Sequence, residues 1–345
     1  MTVWILELEP VQTRYTEQWQ WHISEMLKER GIAYQRIVGA EDIPSATTEG
    51  AFLNFGGTNI FKSSQIETLS RHFTNGEVKD GDAVLVTDAW NPGVLQVRYM
   101  ADLLGIDVKI HAIWHAGSYD PQDFLGRLIE NKEWSYNAER AFFHACDHNY
   151  FATQFHIDLF KETLGIEGHD EKIHRSGLPF EYLPDLLSKW AGKEKRNLIL
   201  FPHRIAPEKQ PEIFDDLEAE MPEYQWVTCQ RQSLTKDEYH YLLAKAKIVF
   251  SANLQETLGI SAYEGALLGA MPFVPDRLSY QEMYPDIFKY PSEWTESWEA
   301  YQQNKGRLKR AIRNYMDNPL DTADLAQQLS REFFSCDALF ENLAL

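Results

Sequence analysis

The sequence predicts an α/β protein of two doubly wound domains in tandem, facing a central cleft. Three observations carry this reading. The chain has 345 residues, more than a single core usually organises. Short runs such as Ala83-Val84-Leu85-Val86 and Ile248-Val249-Phe250 have the all-apolar character of parallel strands covered on both faces. Helix-length stretches separate such runs, so strand and helix alternate twice along the chain.

In the first half, residues 2–8 form a strand and 16–30 a helix stopped by Gly31. A second strand covers 34–38, a helix 63–73, and a buried strand 83–87. Asn91-Pro92 then opens a helix, with Asn as cap and Pro at the first position. Residues 107–114 make another strand, and Asp120-Pro121 repeats the cap signal with Asp123 at the third helical position. The first domain is assigned to 1–185. The charged run Lys193-Glu194-Lys195-Arg196 reads as a solvated linker. A second alternation follows: strand 197–201, helix 211–220, strand 225–229, helix 236–246, strand 248–251, helix 259–269 and strand 271–274. The second domain is assigned to 186–325, and 326–345 to a helical tail able to cross back to the first domain.

The chain carries 52 acidic and 33 basic residues, a formal charge of −19. A polyanionic partner would need a local basic cleft against that field, which disfavours nucleic acid without excluding it. An apolar stretch long enough to span a membrane is not found, and the first strand is not preceded by a basic segment, so a cytoplasmic protein is expected. Cys146, Cys229 and Cys336 have no metal-ligand spacing and read as buried small hydrophobes; no metal is expected.

The chemistry concentrates in two segments of the second half. In the first, the strand ending at Ser251 runs into a loop carrying Glu256, and a helix starts near Gly259 with Glu264 in its second turn. Helical side chains lean toward the N-terminus, so Glu264 can approach the pocket that Glu256 enters from the loop. The backbone at Thr257, Leu258 and Gly259 offers helix-start amides to an anion, and Gly259 permits close approach. The carboxylates themselves would repel phosphate, and suit sugar hydroxyls. In the second segment, Phe201-Pro202-His203-Arg204-Ile205-Ala206-Pro207-Glu208-Lys209 follows the first strand of the second unit. Arg204 and Lys209 together suit a diphosphate, neutralising charge on a nucleotide leaving group. The competing reading is a set of solvated acids with their surface ion partners.

This combination resembles the retaining glycosyltransferases of the GT-B fold, over roughly residues 197–290. The resemblance implies that Arg204 and Lys209 hold the diphosphate, Glu256 the transferred sugar and Glu264 the ribose. Gly269-Ala270-Met271-Pro272 carries one residue more than the family's Gly-x-Pro. The resemblance further implies a nucleotide-sugar donor, a UDP-sugar foremost, retained anomeric configuration, and no metal. An epimerase or phosphorylase of similar fold, or a non-catalytic nucleotide-sugar-binding protein, are the alternatives.

In the first half, His115 follows a strand where the family often has a histidine facing the transferred sugar, and is the candidate catalytic residue beside Glu256; a structural histidine is the other reading. Asp88 ends a buried strand and is either an acceptor-binding or basic carboxylate, or a turn acid. Gly56 and Gly57 lie in a loop before a helix and either stand in for the family's paired glycines, absent from 9–15, or form a turn. Arg14 and Trp90 complete the acceptor side, and with Tyr15 and Trp114 they offer stacking surface for a sugar or base. Around 115–127 the chain also looks like glycosyltransferases of large tailed phages, some of which modify hydroxymethylated bases in DNA. That adds DNA to glycans among the acceptors.

Overall fold

The structure, a computed structural model, describes residues 1–11, 14–44, 46 and 53–344. The chain divides into two compact units, Met1–Pro179 together with Cys336–Leu345, and Phe180–Ser335.

The N-terminal unit is built on β1 (Thr2–Leu6), β2 (Ala33–Ile37), β3 (Ala83–Val86), β4 (Lys109–Trp114), β5 (His148–Phe151) and β6 (Ile173–Arg175). All pair in parallel, in the order β2-β1-β3-β4-β5-β6. Between them run α1 (Tyr15–Glu29), α2 (Phe55–Thr74), α3 (Gly93–Leu104), α4 (Phe124–Leu128), α5 (Lys132–Ala145) and α6 (Gln154–Leu164). Val84, Val86, Ala112, Trp114, Phe143 and Phe160 lie in one buried core. The absence of alternation in the apolar runs thus follows from helices packing on both faces of the sheet. Strand β5 does not stand out in the sequence because His148 and Asn149 interrupt its apolar character. Asn149 is nonetheless fully buried, its Oδ1 accepting from Trp114 Nε1 at 2.8 Å.

Two local readings change. Helix α2 begins at Phe55 rather than 63, because Asn54 accepts from the Gly57 amide at 2.7 Å and caps it. The Gly56-Gly57 loop is therefore the first helical turn. A Cβ on Gly57 would stand 2.9 Å from the Pro44 carbonyl, so close packing accounts for that glycine. Lys195 is not a solvated linker residue: its ammonium donates to the Leu268 carbonyl at 2.7 Å, and burial pulls its pKa down to about 8.

The second unit contains α7 (Leu183–Leu187), β7 (Leu198–Phe201), α8 (Pro211–Glu220), β8 (Gln225–Thr228), α9 (Lys236–Lys245), β9 (Ile248–Phe250), α10 (Ile260–Leu267), β10 (Met271–Pro275), α11 (Tyr280–Met283), β11 (Lys289–Tyr290), α12 (Trp298–Asp317) and α13 (Ala323–Glu332). Its parallel sheet has the order β11-β10-β9-β7-β8. A last helix, α14 (Asp337–Asn342), belongs to the first unit, where Asn342 Nδ2 donates to the Tyr150 hydroxyl at 3.1 Å.

In each sheet the strand order reverses once, at β1 and at β7. Open α/β sheets bind ligands beyond the carboxyl ends of the strands at such reversals. Two places are thereby singled out: the ends of β1 and β3, and the ends of β7 and β9.

Candidate functional site

At the second place, β7 runs out into Pro202-His203-Arg204 and β9 into the loop 251–259. Gln210 Nε2 donates to the carbonyls of Ala252 and Thr295, each at 2.6 Å. Arg277 donates to the carbonyls of Asn253 and Ala252, each at 2.7 Å. The loop is thus fixed by protein contacts of its own, the requirement for a site with defined geometry.

Glu256 sits in that loop. Its carboxylate accepts from Asn253 Nδ2 at 3.1 Å and lies 3.4 Å from Lys209 Nζ. Burial pushes its pKa up, but Lys209, His203 and the amides of Gly259 and Leu258 outweigh burial, so the net shift is downward. The group is an anion at neutral pH. Lys209 is buried and also donates to the Gln255 carbonyl. Gly259 takes the left-handed conformation at φ 79°, and a Cβ there would stand 3.0 Å from the Tyr280 ring. Gly259 makes no side-chain cap for α10, so the first amides of that helix keep their affinity for an anion.

Three buried polar atoms beside Glu256 have no hydrogen-bond partner among the described residues: Asn253 Oδ1, His203 Nε2 and the Tyr284 hydroxyl. Asn253 bonds Glu256, and the Glu256 charge acts on both His203 and Tyr284. Buried polar groups are ordinarily satisfied. A hydroxyl-rich ligand would satisfy these. Burial, with Lys209 next, pulls the His203 pKa down to about 3, so the ring is neutral. It bonds the Phe250 carbonyl through one nitrogen, leaving a lone pair on Nε2. His203 was legible only as a neighbour of Arg204; no spacing signal distinguishes it.

Two expectations about this cluster change. Arg204 and Lys209 do not form an open cationic pair. Arg204 Nε and Nη2 donate to Glu208 Oε1 at 2.9 and 2.5 Å, Glu208 being buried, and Lys209 faces Glu256. Glu264 does not join Glu256. It accepts from the Tyr239 hydroxyl at 2.8 Å and lies 3.6 Å from His240 Nε2, both on α9. Its position in the second turn of α10 turns it to the neighbouring helix, which sequence spacing alone cannot reveal. Thr257 is half-buried and Leu258 buried.

At the first place, the ends of β1, β3 and β4 surround a cavity of about 160 Å3 within the N-terminal unit. Arg14, Tyr15, Asp88, Trp90 and His115 all line it, with Glu9 and Lys62, which the sequence did not single out. Gly56 and Gly57 are not among its lining residues; their neighbours Phe55 and Thr58 are. Asp88 Oδ2 is 2.9 Å from Lys62 Nζ, which also donates to the Trp90 carbonyl at 2.6 Å. Burial raises the Asp88 pKa, but Lys62 and His115 lower it further, and the net shift is downward. That makes Asp88 a poor general base. Its Oδ1 accepts from the Trp90 amide at 3.2 Å, so it is also a turn acid.

His115 is held at both nitrogens. Nε2 lies 2.8 Å from the Thr87 carbonyl, which can only accept, so Nε2 carries the proton. Nδ1 therefore accepts from the Tyr15 hydroxyl at 3.0 Å. Burial first, opposed by Asp88, leaves the His115 pKa lowered. This neutral, doubly bonded ring is positioned by protein partners, which argues against the catalytic role expected for it. Among the described residues, no cluster of His, Cys, Asp and Glu could hold a metal ion, and no helix is long and apolar enough to cross a membrane.

No family model and no curated protein matches the chain. Solved structures do. Sucrose-phosphate synthase from Thermosynechococcus elongatus aligns with 99% of the chain and 96% of its own, at 12% identity and TM-score 0.61. The catalytic domain of starch synthase IV from Arabidopsis thaliana, bound to ADP and acarbose, aligns with 99% of both chains at 10% identity and TM-score 0.58. The fold is GT-B. The pneumococcal O-GlcNAc transferase GtfA, in complex with UDP and GlcNAc, is similar at 14% identity and TM-score 0.52 over 81% of the chain, which spans 58% of that protein. At such identities the likeness is one of fold. The GT-B assignment accounts for both Rossmann-like sheets, and leaves the reaction to be argued from the site residues.

Proposed function

We propose that this GT-B protein is a retaining, metal-independent glycosyltransferase taking a nucleotide sugar, a UDP-sugar foremost, at the ends of β7 and β9. The observation that carries the reading is the group of unpartnered polar atoms around the Lys209–Glu256 pair, beside a glycine-started helix. Arg204 and Lys209 enter this reading as charges now balanced by carboxylates. A diphosphate would replace those carboxylates, keeping the cations paired and releasing Glu256 to the hydroxyls of the transferred sugar. Asn253 and His203 supply further acceptors for sugar hydroxyls, and the backbone amides at 257–260, with those of Leu258 and Gly259 released by Glu256, meet phosphate oxygens at the start of α10. Glu264, held by Tyr239, serves the ribose.

In the transfer step the acceptor oxygen forms a bond to the anomeric carbon on the face the diphosphate leaves. The carbon–phosphate-oxygen bond breaks, and the acceptor proton passes to the departing phosphate. The cations then stabilise the charge developing on the leaving group, the largest single term in such reactions. The N-terminal cavity holds the acceptor, with a hydroxymethylated DNA base and a glycan as the candidate classes.

Thermal unfolding with UDP, GDP and ADP tests the donor site. At least one nucleotide raises Tm, and Arg204→Ala abolishes the rise. Product analysis then shows diphosphate release with the sugar on an acceptor. Absence of any shift contradicts the reading. Conversion of the donor to its epimer with no release would replace it by an epimerase.

A further inference from the structure

Helix α3 of the N-terminal unit places Val94, Val97 and Ala101 in the buried core. At about 3.6 residues per turn, the face pointing the other way carries Leu95, Tyr99 and Leu103. These side chains are exposed by 40, 66 and 69%. The outer face of a surface helix is normally polar. Single exposed apolar residues are ordinary, but three in register along one helix mark an interaction surface. Helices α2 and α5 pack beside α3 and leave this stripe uncovered.

The stripe matches itself. Leu95 and Leu103 lie four residues, about 6 Å along the axis, to either side of Tyr99. Two antiparallel copies of α3 related by a two-fold axis at Tyr99 therefore set each Leu95 opposite the partner's Leu103. The flanking charges follow the same rule. Arg98 faces α5, donating to the Ala145 carbonyl at 3.1 Å and to Asp147 at 2.6 Å. Asp102, one turn on, is exposed and held only loosely, 3.7 Å from Arg98. The two-fold brings each Asp102 within about 3 Å, measured along the axis, of the partner's Arg98. A specific interface takes roughly 800 Å2 from each copy. The 12-residue helix supplies its centre, and the neighbouring α2 and α5, with the half-exposed Trp134, supply the rim. An anionic lipid surface fits less well, because it repels a chain of formal charge −19.

We propose that the chain forms a two-fold symmetric dimer through α3, with Leu95, Tyr99 and Leu103 of one copy packed antiparallel against the same residues of a second. An interface centred on one helix is at the small end of specific ones, so the association is weak, with a Kd on the order of 10 µM. Two-fold dimers of this isologous kind are the commonest assemblies of soluble proteins.

The test is sedimentation equilibrium of the full chain from about 1 to about 100 µM. About 0.15 M salt screens the repulsion between the two acidic copies beyond roughly 8 Å. The mass rises toward twice that of the monomer across this range. Tyr99→Glu and Leu103→Lys each weaken association by about 10-fold or more, and an unchanged Tm of the isolated monomer shows that each variant folds. Cysteine cross-linking reads the register, since Cys146, Cys229 and Cys336 are buried. Tyr99→Cys links to its own copy across the axis. Leu95→Cys links in a mixture with Leu103→Cys but not alone, because two copies of residue 95 stand about 12 Å apart, beyond the roughly 7 Å reach of a disulfide. A chain that stays monomeric at the highest concentration, or a dimer unchanged in both charged variants, overturns the proposal. So does Leu95→Cys linking alone as readily as the mixture. A monomer that binds phosphatidylcholine vesicles, and loses that binding in Tyr99→Glu, overturns it as well and assigns the stripe to a lipid surface.

Discussion

Replacing Lys209 by Met lowers kcat/KM for sugar transfer by roughly 10^2–10^3-fold, the loss found when a preorganised charge partner is removed. Lys209 Nζ is buried, 3.4 Å from Glu256, and donates to Gln255. The methionine fills the same volume and supplies no proton. The variant makes a second, qualitative prediction. Lys209 is the strongest influence opposing burial at Glu256, so without it the carboxyl pKa rises relative to the wild type. A group with a depressed pKa is ionised until pH falls through that low value. Once the pKa is raised, ionisation is lost at higher pH. The acidic limb of the kcat/KM profile therefore moves upward in Lys209→Met. A profile scaled down with its limb unmoved would place Lys209 outside the Glu256 site.

Asp88→Asn destabilises the N-terminal unit by about 3 kcal/mol, the lower end for breaking a buried ion pair, since both side chains keep some solvent contact. The cost comes from leaving the Lys62 ammonium with the Trp90 carbonyl as its remaining hydrogen-bond partner among the described residues. At roughly 2–4 °C per kcal/mol, Tm falls by about 6–12 °C. The pH sign follows from the lowered pKa of Asp88. Its contribution is full above the usual carboxylate value of 3.8 and is lost as pH falls through the lower folded value. The wild-type advantage over Asp88→Asn therefore narrows below about pH 3.8. Adding Lys62→Met to Asp88→Asn recovers most of the loss, because the stranded ammonium is then removed. Calorimetry across pH checks all three statements.

The strands were legible where burial on both faces leaves no polar residue, as in β3, β7 and β9. The reversal of strand order, which selects the two ligand places, needs the pairing of β1 with β3 and of β7 with β9, and no local pattern encodes it. Glu256, Gly259, Arg204 and Lys209 could be named because they follow strand ends in sequence. What they bond to could not. Glu208 lies four residues from Arg204 and captures it, and Tyr239 reaches Glu264 from another helix. Glu9 went unnoticed for the opposite reason: its Oε2 is buried without a hydrogen-bond partner among the described residues, in a cavity whose walls come from residues as far apart as Leu8 and Leu125. Gly56 and Gly57 misled because glycines normally weaken helices, while the Asn54 cap here starts one across them.

Amide hydrogen exchange on the full chain, with and without UDP, addresses the donor assignment most directly. The account predicts that UDP slows exchange in 203–210 and 253–264 and leaves the 173–179 segment unchanged. Slowing confined to segments of the N-terminal unit, with 203–210 and 253–264 unaffected, would contradict it.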